Sequence, residues 1–294
     1  MKPKEQVQEE KSLQPKVEAQ PLRVEETRNV IFKPNEGPQT DFLAASEREV
    51  LYGGSAGGGK SYAMLADPLR YMGNPSFSGL LLRHTTEELR ELIYKSQELY
   101  PKIWKGIKWS ERKMQWTAPS GAKLWMSYLD REDDVLRYQG LAFSWIGFDE
   151  LTQWASPFAW NYMRSRLRST DPDLSVYMRA TTNPGGRGHH WVKKMFIDPA
   201  PYNRAFNATD IETGEDLKYP SGHEKAGKAL FKRRFIPARL TDNPYLSTSG
   251  DYEAMLLSLP EQQRRQLLEG DWDIKEGAAF TEFNRDIHVI EPFD

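Results

Sequence analysis

The chain has 294 residues, 38% of them hydrophobic, including 13 Phe, 13 Tyr and 9 Trp. This composition is typical of one large packed domain with an appendage, or of two modest domains, and it excludes a wholly disordered protein. The absence of cysteine excludes disulfides, thiolate metal sites and cysteine nucleophiles, and it suits a reducing compartment. The formal net charge of -2 confines any nucleic-acid surface to a local patch. No apolar run approaches the length of a membrane span, so we expect no membrane contact.

Residues 1–29 are rich in Lys, Glu, Gln, Val and Pro and contain no aromatic residue. This composition predicts a disordered or weakly ordered tail, and a short helix that forms only in an assembly is the alternative.

The pattern G-x-x-x-x-G-K-S runs from Gly54 to Ser61, between a β-inclined run, Glu49–Tyr52, and a helix that opens at Tyr62. Strand, loop and helix in this order are the context in which the pattern binds phosphates. Glycines let backbone N–H groups turn toward an anion, and the helix adds its positive end. We therefore predict a P-loop in which Lys60 reaches the phosphates of ATP and Ser61 ligates Mg²⁺. The glycines assigned to phosphate binding are Gly54, Gly57, Gly58 and Gly59.

A short helix that ends near Ser46 precedes the P-loop strand and carries Gln39. An amide both donates and accepts hydrogen bonds, so Gln39 is a candidate for contact with an adenine edge. A surface or capping role for Gln39 is the alternative.

Strands and helices alternate after the P-loop, which predicts βαβ units. Gly79–Arg83 is an apolar run of the kind found inside parallel sheets, and Glu87–Leu99 is an amphipathic helix with a threonine at its N-cap. Met114–Thr117 and Ala122–Met126 alternate around a Pro-Ser-Gly turn and predict a hairpin.

A mostly apolar run, Phe143–Phe148, ends in Asp149 and Glu150. At the end of a strand, such a pair supplies the other half of an ATP site: Asp149 holds Mg²⁺ and Glu150 polarises the attacking water. The pair alone is also common as a solvated strand cap, and the P-loop is what favours the catalytic interpretation.

A third strand, Ser175–Ala180, is followed by Thr181, Thr182 and Asn183. Polar side chains at the carboxyl end of a parallel strand lie where α/β sheets bind ligands, so these three are candidates for sensing the γ-phosphate. Asn-Pro-Gly-Gly is also a strong turn signal, and both interpretations stay open.

Basic residues cluster in three places, and each cluster is a candidate nucleic-acid contact, with a solvated surface as the alternative. The first cluster is Arg164, Arg166 and Arg168, the second is Lys228, Lys232, Arg233, Arg234 and Arg239, and the third is Lys102, Lys105, Lys108, Arg112 and Lys113 around Trp104 and Trp109. The spacing of the first cluster predicts that Arg164 and Arg168 share one helical face. The third cluster has its two tryptophans interleaved with the basic residues.

Two helices are predicted near the C-terminus, from about Asp251 to Leu259 and over Pro260–Glu269, and Gly270–Trp272 follows them. Together they form a small lid-like appendage.

This set of motifs resembles the ATPase domain of the large terminase subunit of tailed bacteriophages, over about residues 31–290. The resemblance rests on Gly54–Ser61, Trp145–Glu150, Thr181–Asn183 and the C-terminal stretch Asp242–Trp272. It implies an α/β P-loop NTPase of the additional-strand (ASCE) type, with a mostly parallel sheet, helices on both faces and a small helical lid. The implied domains are a tail at 1–29, the ATPase core at 30–237, and the lid with a linker at 238–294. The linker leads toward a nuclease domain, and we expect nuclease activity only in a longer chain.

The resemblance also implies what the protein does. A large terminase hydrolyses ATP, with Mg²⁺, to move double-stranded DNA into a procapsid in the cytoplasm of the infected bacterial host. Portal protein, small terminase subunit and procapsid are implied partners, and the subunits form a homo-oligomeric ring when assembled, whereas the isolated chain can be a monomer. In this family Thr181–Asn183 corresponds to the motif that couples hydrolysis to motion.

The family pattern also includes an arginine finger, and some members carry an arginine early in the P-loop. Here Ser55 and Ala56 occupy those positions. The candidate is Arg137, twelve residues before Asp149, acting on a neighbouring subunit; Arg83 is the second candidate and a plain surface arginine is the alternative.

Two other classes of function stay open. A helicase or another translocase would use the same nucleotide site on a different nucleic acid, although a second RecA-like domain is not evident in the sequence. A non-hydrolysing switch module would bind nucleotide without turnover, which Glu150 disfavours.

Overall fold

The computed structural model describes residues 30–248 and 250–274. The chain divides into two units, Met1–Ile31 and Phe32–Asp294, and every element below belongs to the second. The predicted tail and the predicted linker beyond residue 274 lie outside the described residues. In the described part of the chain, no helix combines the length and the apolar character needed to cross a lipid bilayer.

The described residues contain one nine-stranded sheet. Its strands are β1 Glu49–Gly54, β2 Ser78–Arg83, β3 Lys108–Ser110, β4 Gln115–Thr117, β5 Lys123–Tyr128, β6 Trp145–Asp149, β7 Tyr177–Thr182, β8 Ala205–Asn207 and β9 Lys232–Ala238. Their order across the sheet is β3-β4-β5-β2-β6-β7-β1-β9-β8. The six strands from β5 to β9 in that order are parallel, whereas β3, β4 and β8 pair antiparallel at the two edges. The hairpin predicted around the Pro-Ser-Gly turn is confirmed as β4–β5.

Helices cover both faces of the sheet, and alternate side chains of the buried strands meet them. Leu80 and Leu82 of β2 pack in the core on one face of the sheet, with the helices at Phe158–Arg164 and His189–Val192. Leu81 packs in the core on the other face, with the helices at Lys60–Ala66 and Thr86–Ile103. The helices are α1 Pro38–Ala44, α2 Lys60–Ala66, α3 Thr86–Ile103, α4 Phe158–Arg164, α5 His189–Val192, α6 Pro244–Ser247, α7 Asp251–Leu257 and α8 Glu261–Arg264, with π-helical turns at Lys193–Ile197 after α5 and Arg265–Glu269 after α8.

Strand β7 lies between β1 and β6, the strands that carry the P-loop and the acidic pair. Thr181 of β7 is in register with Tyr52 of β1 on one side and with Asp149 of β6 on the other. This inserted strand is the additional strand of the predicted fold. The arrangement brings the carboxyl ends of all three strands to one edge of the sheet, where α/β folds bind ligands.

Strand β9 is the main element that the sequence did not indicate. Its basic residues suggest a solvated run, yet β9 pairs in parallel with β1 inside the sheet. The physical reason is charge pairing, because Arg233 is 1% exposed and donates to the buried carboxylate of Glu49 over 2.7 Å. A strand can bury an arginine where the partner charge is already in place.

Candidate active site

The P-loop turns directly from β1 into α2. Gly57 and Gly59 both have φ of 78°, a left-handed backbone that glycine adopts without strain. Lys60, the first residue of α2, is buried, and its ammonium group donates to the carbonyl of Ser55 over 2.6 Å. Burial lowers the pKa of Lys60, while Glu150 and Asp149 act in the opposite direction. The lysine therefore lies inside the loop with its charge facing the acidic pair.

Two side chains bind the outer carbonyls of the loop. The Tyr52 hydroxyl donates to the Gly58 carbonyl over 2.9 Å, and the Gln39 amide donates to the Gly59 carbonyl over the same distance. The Gln39 oxygen accepts the backbone N–H of Asn35 over 2.6 Å. Gln39 therefore lies at the rim of the P-loop, with its donor and its acceptor both bound to the protein. Contact between Gln39 and adenine stays a prediction.

Asp149 ends β6 and is almost completely buried. Its carboxylate accepts a hydrogen bond from the Thr181 hydroxyl and forms an ion pair with Arg83, whose Nε lies 3.2 Å from Oδ2. Arg83 is the last residue of β2, the strand next to β6. Three neighbouring strands thus fix the position of one carboxylate.

Glu150, the residue after β6, has a left-handed backbone with φ of 61°. Residues other than glycine adopt this conformation infrequently, and such strain clusters at functional sites. The backbone of Asn183 lies against the Glu150 carboxylate and acts to lower its pKa. Burial and the neighbouring Asp149 raise the pKa of Glu150, and the positive charges of Lys60 and Arg83 reduce this effect.

The residues after β7 have distinct contacts. The Thr182 hydroxyl accepts the backbone N–H of Thr152 over 3.2 Å and lies 2.7 Å from the Thr152 hydroxyl. The side-chain oxygen of Asn183 is buried and has no hydrogen-bond partner within residues 30–248 and 250–274. Thr181 is therefore hydrogen-bonded to Asp149, Thr182 is hydrogen-bonded to the turn after Glu150, and Asn183 lies beside Glu150. The phosphate-sensing role of the three residues stays a prediction.

The oxygen groups at this edge fit Mg²⁺. Ser61 places a hydroxyl in the first turn of α2, and the buried Asp149 Oδ2 atom accepts no hydrogen bond from the described part of the chain. Hydroxyl and carboxylate oxygens are ligands that Mg²⁺ prefers, and the ion usually completes its shell with water and substrate phosphates. Among the described residues, no group of three or more His, Cys, Asp or Glu side chains is placed to hold a metal ion.

The two candidate finger arginines differ in exposure. Arg83 is 11% exposed and is committed to Asp149. The Arg137 side chain is 43% exposed, and its guanidinium donates to the carbonyls of Tyr128 and Asp134. Tyr128 ends β5 in register with Arg83, so Arg137 lies at the same edge of the sheet as the acidic pair.

The C-terminal helices lie directly against the P-loop. The Asn243 amide donates to the Gly57 carbonyl over 2.6 Å, and the backbone N–H of Ala56 donates to the Leu267 carbonyl over 2.6 Å. A Cβ atom on Gly270 would lie 2.9 Å from the backbone nitrogen of Ser55, so only glycine fits there. Sequence reasoning predicted a lid and missed these contacts, although Asp-Asn-Pro is a recognisable helix start that marks Asn243.

The three basic clusters have different environments. Helix α4 ends at Arg164, so the predicted helical face shared by Arg164 and Arg168 does not exist; Arg164 pairs instead with Glu49. In the second cluster, Arg233 pairs with the same Glu49 and Arg234 binds Asn203. The third cluster lies on the end of α3 and the β3–β4 hairpin. Its exposed residues are Lys102, Lys105, Lys108, Arg112 and Lys113, while Trp104 and Trp109 pack against the core.

Comparison with known proteins identifies relatives of this arrangement. The family described as terminase large subunit, T4likevirus-type, N-terminal, matches residues 51–287. No curated protein sequence matches the chain.

Solved structures with a similar fold include the large terminase of a thermophilic bacteriophage in complex with ADP, at a TM-score of 0.57 and 17% identity over 89% of this chain and 60% of that one. The same thermophilic-phage terminase in complex with ATP-γ-S matches at a TM-score of 0.57 and 16% identity, over 89% of this chain and 59% of that one. The Thermus phage P74-26 large terminase ATPase domain matches at 0.51 and 13% identity, over 82% of this chain and 94% of that domain.

This chain therefore spans about three fifths of the length of the thermophilic-phage terminase. The comparisons confirm the predicted fold and the predicted resemblance: the chain belongs to the T4likevirus-type terminase large subunit family, in the region of its N-terminal domain.

Proposed function

We propose that this chain is the ATPase motor of a viral terminase large subunit, which hydrolyses ATP to move double-stranded DNA into a procapsid. The observation that carries the proposal is the convergence of Lys60 with Asp149 and Glu150 at the carboxyl edge of β1, β7 and β6. A buried cation inside a glycine loop, opposite two carboxylates, is what phosphoryl transfer to water requires.

The proposed roles follow from position. Gly54, Gly57, Gly58 and Gly59 with Lys60 bind the phosphates, as the thermophilic-phage terminase binds ADP and ATP-γ-S. Ser61 and Asp149 hold Mg²⁺, which supplies charge neutralisation of the phosphates. Glu150 orients and deprotonates the attacking water, and its raised pKa makes it a stronger base than an exposed glutamate. Gln39 contacts the adenine, and Thr181, Thr182 and Asn183 respond to the γ-phosphate.

Arg137 is the proposed finger for the site of a neighbouring subunit. Arg137 lies at the nucleotide edge with 43% of its side chain exposed and a 3.9 Å surface ion pair with Asp134, whereas Arg83 is 11% exposed and pairs with the buried Asp149. A finger in trans leaves an isolated monomer slow, because this group contributes ~10³ to 10⁵ in rate. The motor then forms a homo-oligomeric ring when assembled, and the isolated chain is a monomer.

The third basic cluster is the proposed DNA contact. Its five basic side chains are all exposed, next to two tryptophans, whereas one arginine of each of the other two clusters forms an ion pair with the buried Glu49. Contacts to phosphates give affinity without sequence preference and make it fall steeply with salt. Portal protein, small terminase subunit and procapsid are proposed partners, and the host cytoplasm is the proposed location.

The substitution Glu150→Gln tests the proposal. Removal of the base while the loop stays intact should keep ATP binding and abolish phosphate release, and Glu87→Gln on the surface of α3 is the matched control. Unaltered turnover in Glu150→Gln would remove Glu150 from its role. Tight ATP binding with no turnover in the assembled wild type would favour the switch module.

A translocase on another nucleic acid remains the second candidate. Stimulation of ATP hydrolysis by procapsids and double-stranded DNA together, but not by single-stranded DNA or RNA, would distinguish the packaging motor from it.

A further inference from the structure

His189 lies between the loop that follows β7 and the C-terminal segment. Its ring is buried at the start of α5, and its Nδ1 atom accepts the backbone N–H of Gly185 over 2.9 Å. Its Nε2 atom lies 3.2 Å from the Trp272 carbonyl. Because an N–H can only donate and a carbonyl can only accept, the neutral ring carries its proton on Nε2 and donates to Trp272.

The ring also stacks on the indole of Trp272. The two centroids are 5.3 Å apart and the planes differ by 20°. Trp272 is itself buried and packs edge-on against Phe235 of β9. The contact between His189 and Trp272 is therefore a packed one, and a displacement on one side is transmitted to the other.

The other end of this link reaches the acidic corner. The backbone of Asn183, two residues before Gly185, lies against the Glu150 carboxylate and acts to lower its pKa, and the Asn183 carbonyl accepts from the Thr152 hydroxyl over 3.1 Å. A Cβ atom on Gly188 would lie 2.1 Å from the Trp154 carbonyl, so the loop packs closely against the segment after Glu150. Because this packing leaves little free space, we expect a displacement of Glu150 or Asn183 to displace His189 as well.

The C-terminal segment has a second connection to the site, through the P-loop. The Leu267 carbonyl accepts from Ala56, and Gly270 touches Ser55. The segment Leu267–Trp272 thus contacts the nucleotide site in two places. The P-loop contact adjoins the proposed phosphate loop, whereas the His189 contact starts from the Glu150–Asn183 corner, which is the proposed position of the third phosphate.

We propose that His189 is a positioning residue that conveys the state of the Glu150–Asn183 corner to the segment Leu267–Trp272. This segment then distinguishes a nucleoside triphosphate from a diphosphate. The inference rests on the proposed ATPase function, since it requires that the site bind both nucleotides.

Hydrogen exchange tests the link in the full chain. Exchange of the amides of residues 267–272 is measured with ADP and with ATP-γ-S, in the wild type, His189→Asn and His189→Gln. Asn keeps an acceptor near the Nδ1 position and loses the bond to Trp272, whereas Gln reaches the Nε2 position and loses the bond to Gly185. Both variants break the link at one end, so misfolding of one leaves the other as the test. The exposed neighbour His190→Asn is the matched control.

In the wild type and His190→Asn, the amides of residues 267–272 should exchange at different rates with ADP and with ATP-γ-S. In both His189 variants these amides should exchange at the same rate with either nucleotide, while the affinity for ATP-γ-S is unchanged. A merely structural role would raise exchange with both nucleotides and keep their ratio. A retained ratio in both His189 variants, or equal rates in a wild type that binds both nucleotides, would overturn the inference. Failure of the wild type to bind either nucleotide would overturn the proposed function itself, and the inference with it.

Discussion

The side-chain amide of Asn243 donates to the carbonyl of Gly57 over 2.6 Å and so joins the C-terminal helices to the P-loop. The oxygen of the same amide accepts the backbone N–H of Tyr245 and caps α6. One residue therefore both starts a helix and holds the loop. We expect Asn243→Ala to destabilise the protein by about 1–3 kcal/mol, the combined cost of a lost cap and a lost hydrogen bond.

Asn243→Asp separates these two effects, because it keeps the capping oxygen and removes the donor to Gly57. Its second carboxylate oxygen then faces the Gly57 carbonyl with no proton between them, so we expect a loss of stability no smaller than in Asn243→Ala, together with faster hydrogen exchange around Gly57 in both variants. Exchange at the wild-type rate around Gly57 in Asn243→Asp would mean that the contact does not support the P-loop.

The Gln39 amide is bound to the P-loop on one side and to Asn35 on the other. If the amide also hydrogen-bonds to adenine, Gln39→Ala lowers kcat/KM for ATP more than kcat/KM for GTP, so the ratio of the two falls. If it only supports the loop, both substrates lose activity by the same factor. We predict a loss of preference, measured as this ratio in the wild type and the variant, with Glu36→Gln in the exposed turn before α1 as the control.

Glu150 contributes a pH dependence whose sign follows from its raised pKa. The folded state holds the proton more tightly than the unfolded state, so wild-type stability is full below the ordinary glutamate pKa and declines as pH rises through the raised value. Glu150→Gln removes this decline. Thermal unfolding of the nucleotide-free protein should therefore show equal melting temperatures at acidic pH and a more stable variant at neutral pH. A variant that is less stable at neutral pH would contradict the raised pKa.

Glu49 is the carboxylate that two arginines share at the start of β1. Burial alone would raise the pKa of Glu49, but Arg164 and Arg233 hold it below its ordinary value. Glu49→Gln leaves both arginines without a countercharge, and we expect a loss of about 3–5 kcal/mol in the free energy of unfolding. Glu91→Gln is the matched control, because its pair with Lys95 is exposed and contributes less than about 1 kcal/mol. Denaturant titration measures both.

The sequence predicts the part of the site that is local in the chain. The P-loop, the acidic strand end and the residues after β7 are each contiguous, and their chemistry requires particular side chains at fixed spacing. Thr85 illustrates the same point, because a helix cap is decided within four residues, and its hydroxyl accepts the backbone N–H of Glu88.

Contacts between distant segments were not predictable in this way. The pair of Arg233 with Glu49 joins residues 184 positions apart, and the contact of Asn243 with Gly57 joins residues 186 apart. Neither leaves a periodic signal, and an arginine-rich run in a strand is indistinguishable from a solvated one until its partner is known. The ion pair of Arg83 with Asp149 is similar, since it depends on which strands become neighbours.

In the proposed motor, neighbouring subunits complete one another's ATP sites, with Glu150 in one subunit and Arg137 in the next. The most direct test is the steady-state ATPase rate of Arg137→Ala and Glu150→Ala subunits, alone and mixed, under conditions where a ring assembles. Each variant alone should be nearly inactive, and the mixture should recover part of the wild-type rate because some interfaces combine an intact Glu150 with an intact Arg137. A mixture as inactive as its components in a confirmed ring, or full activity of Arg137→Ala alone, would contradict the claim.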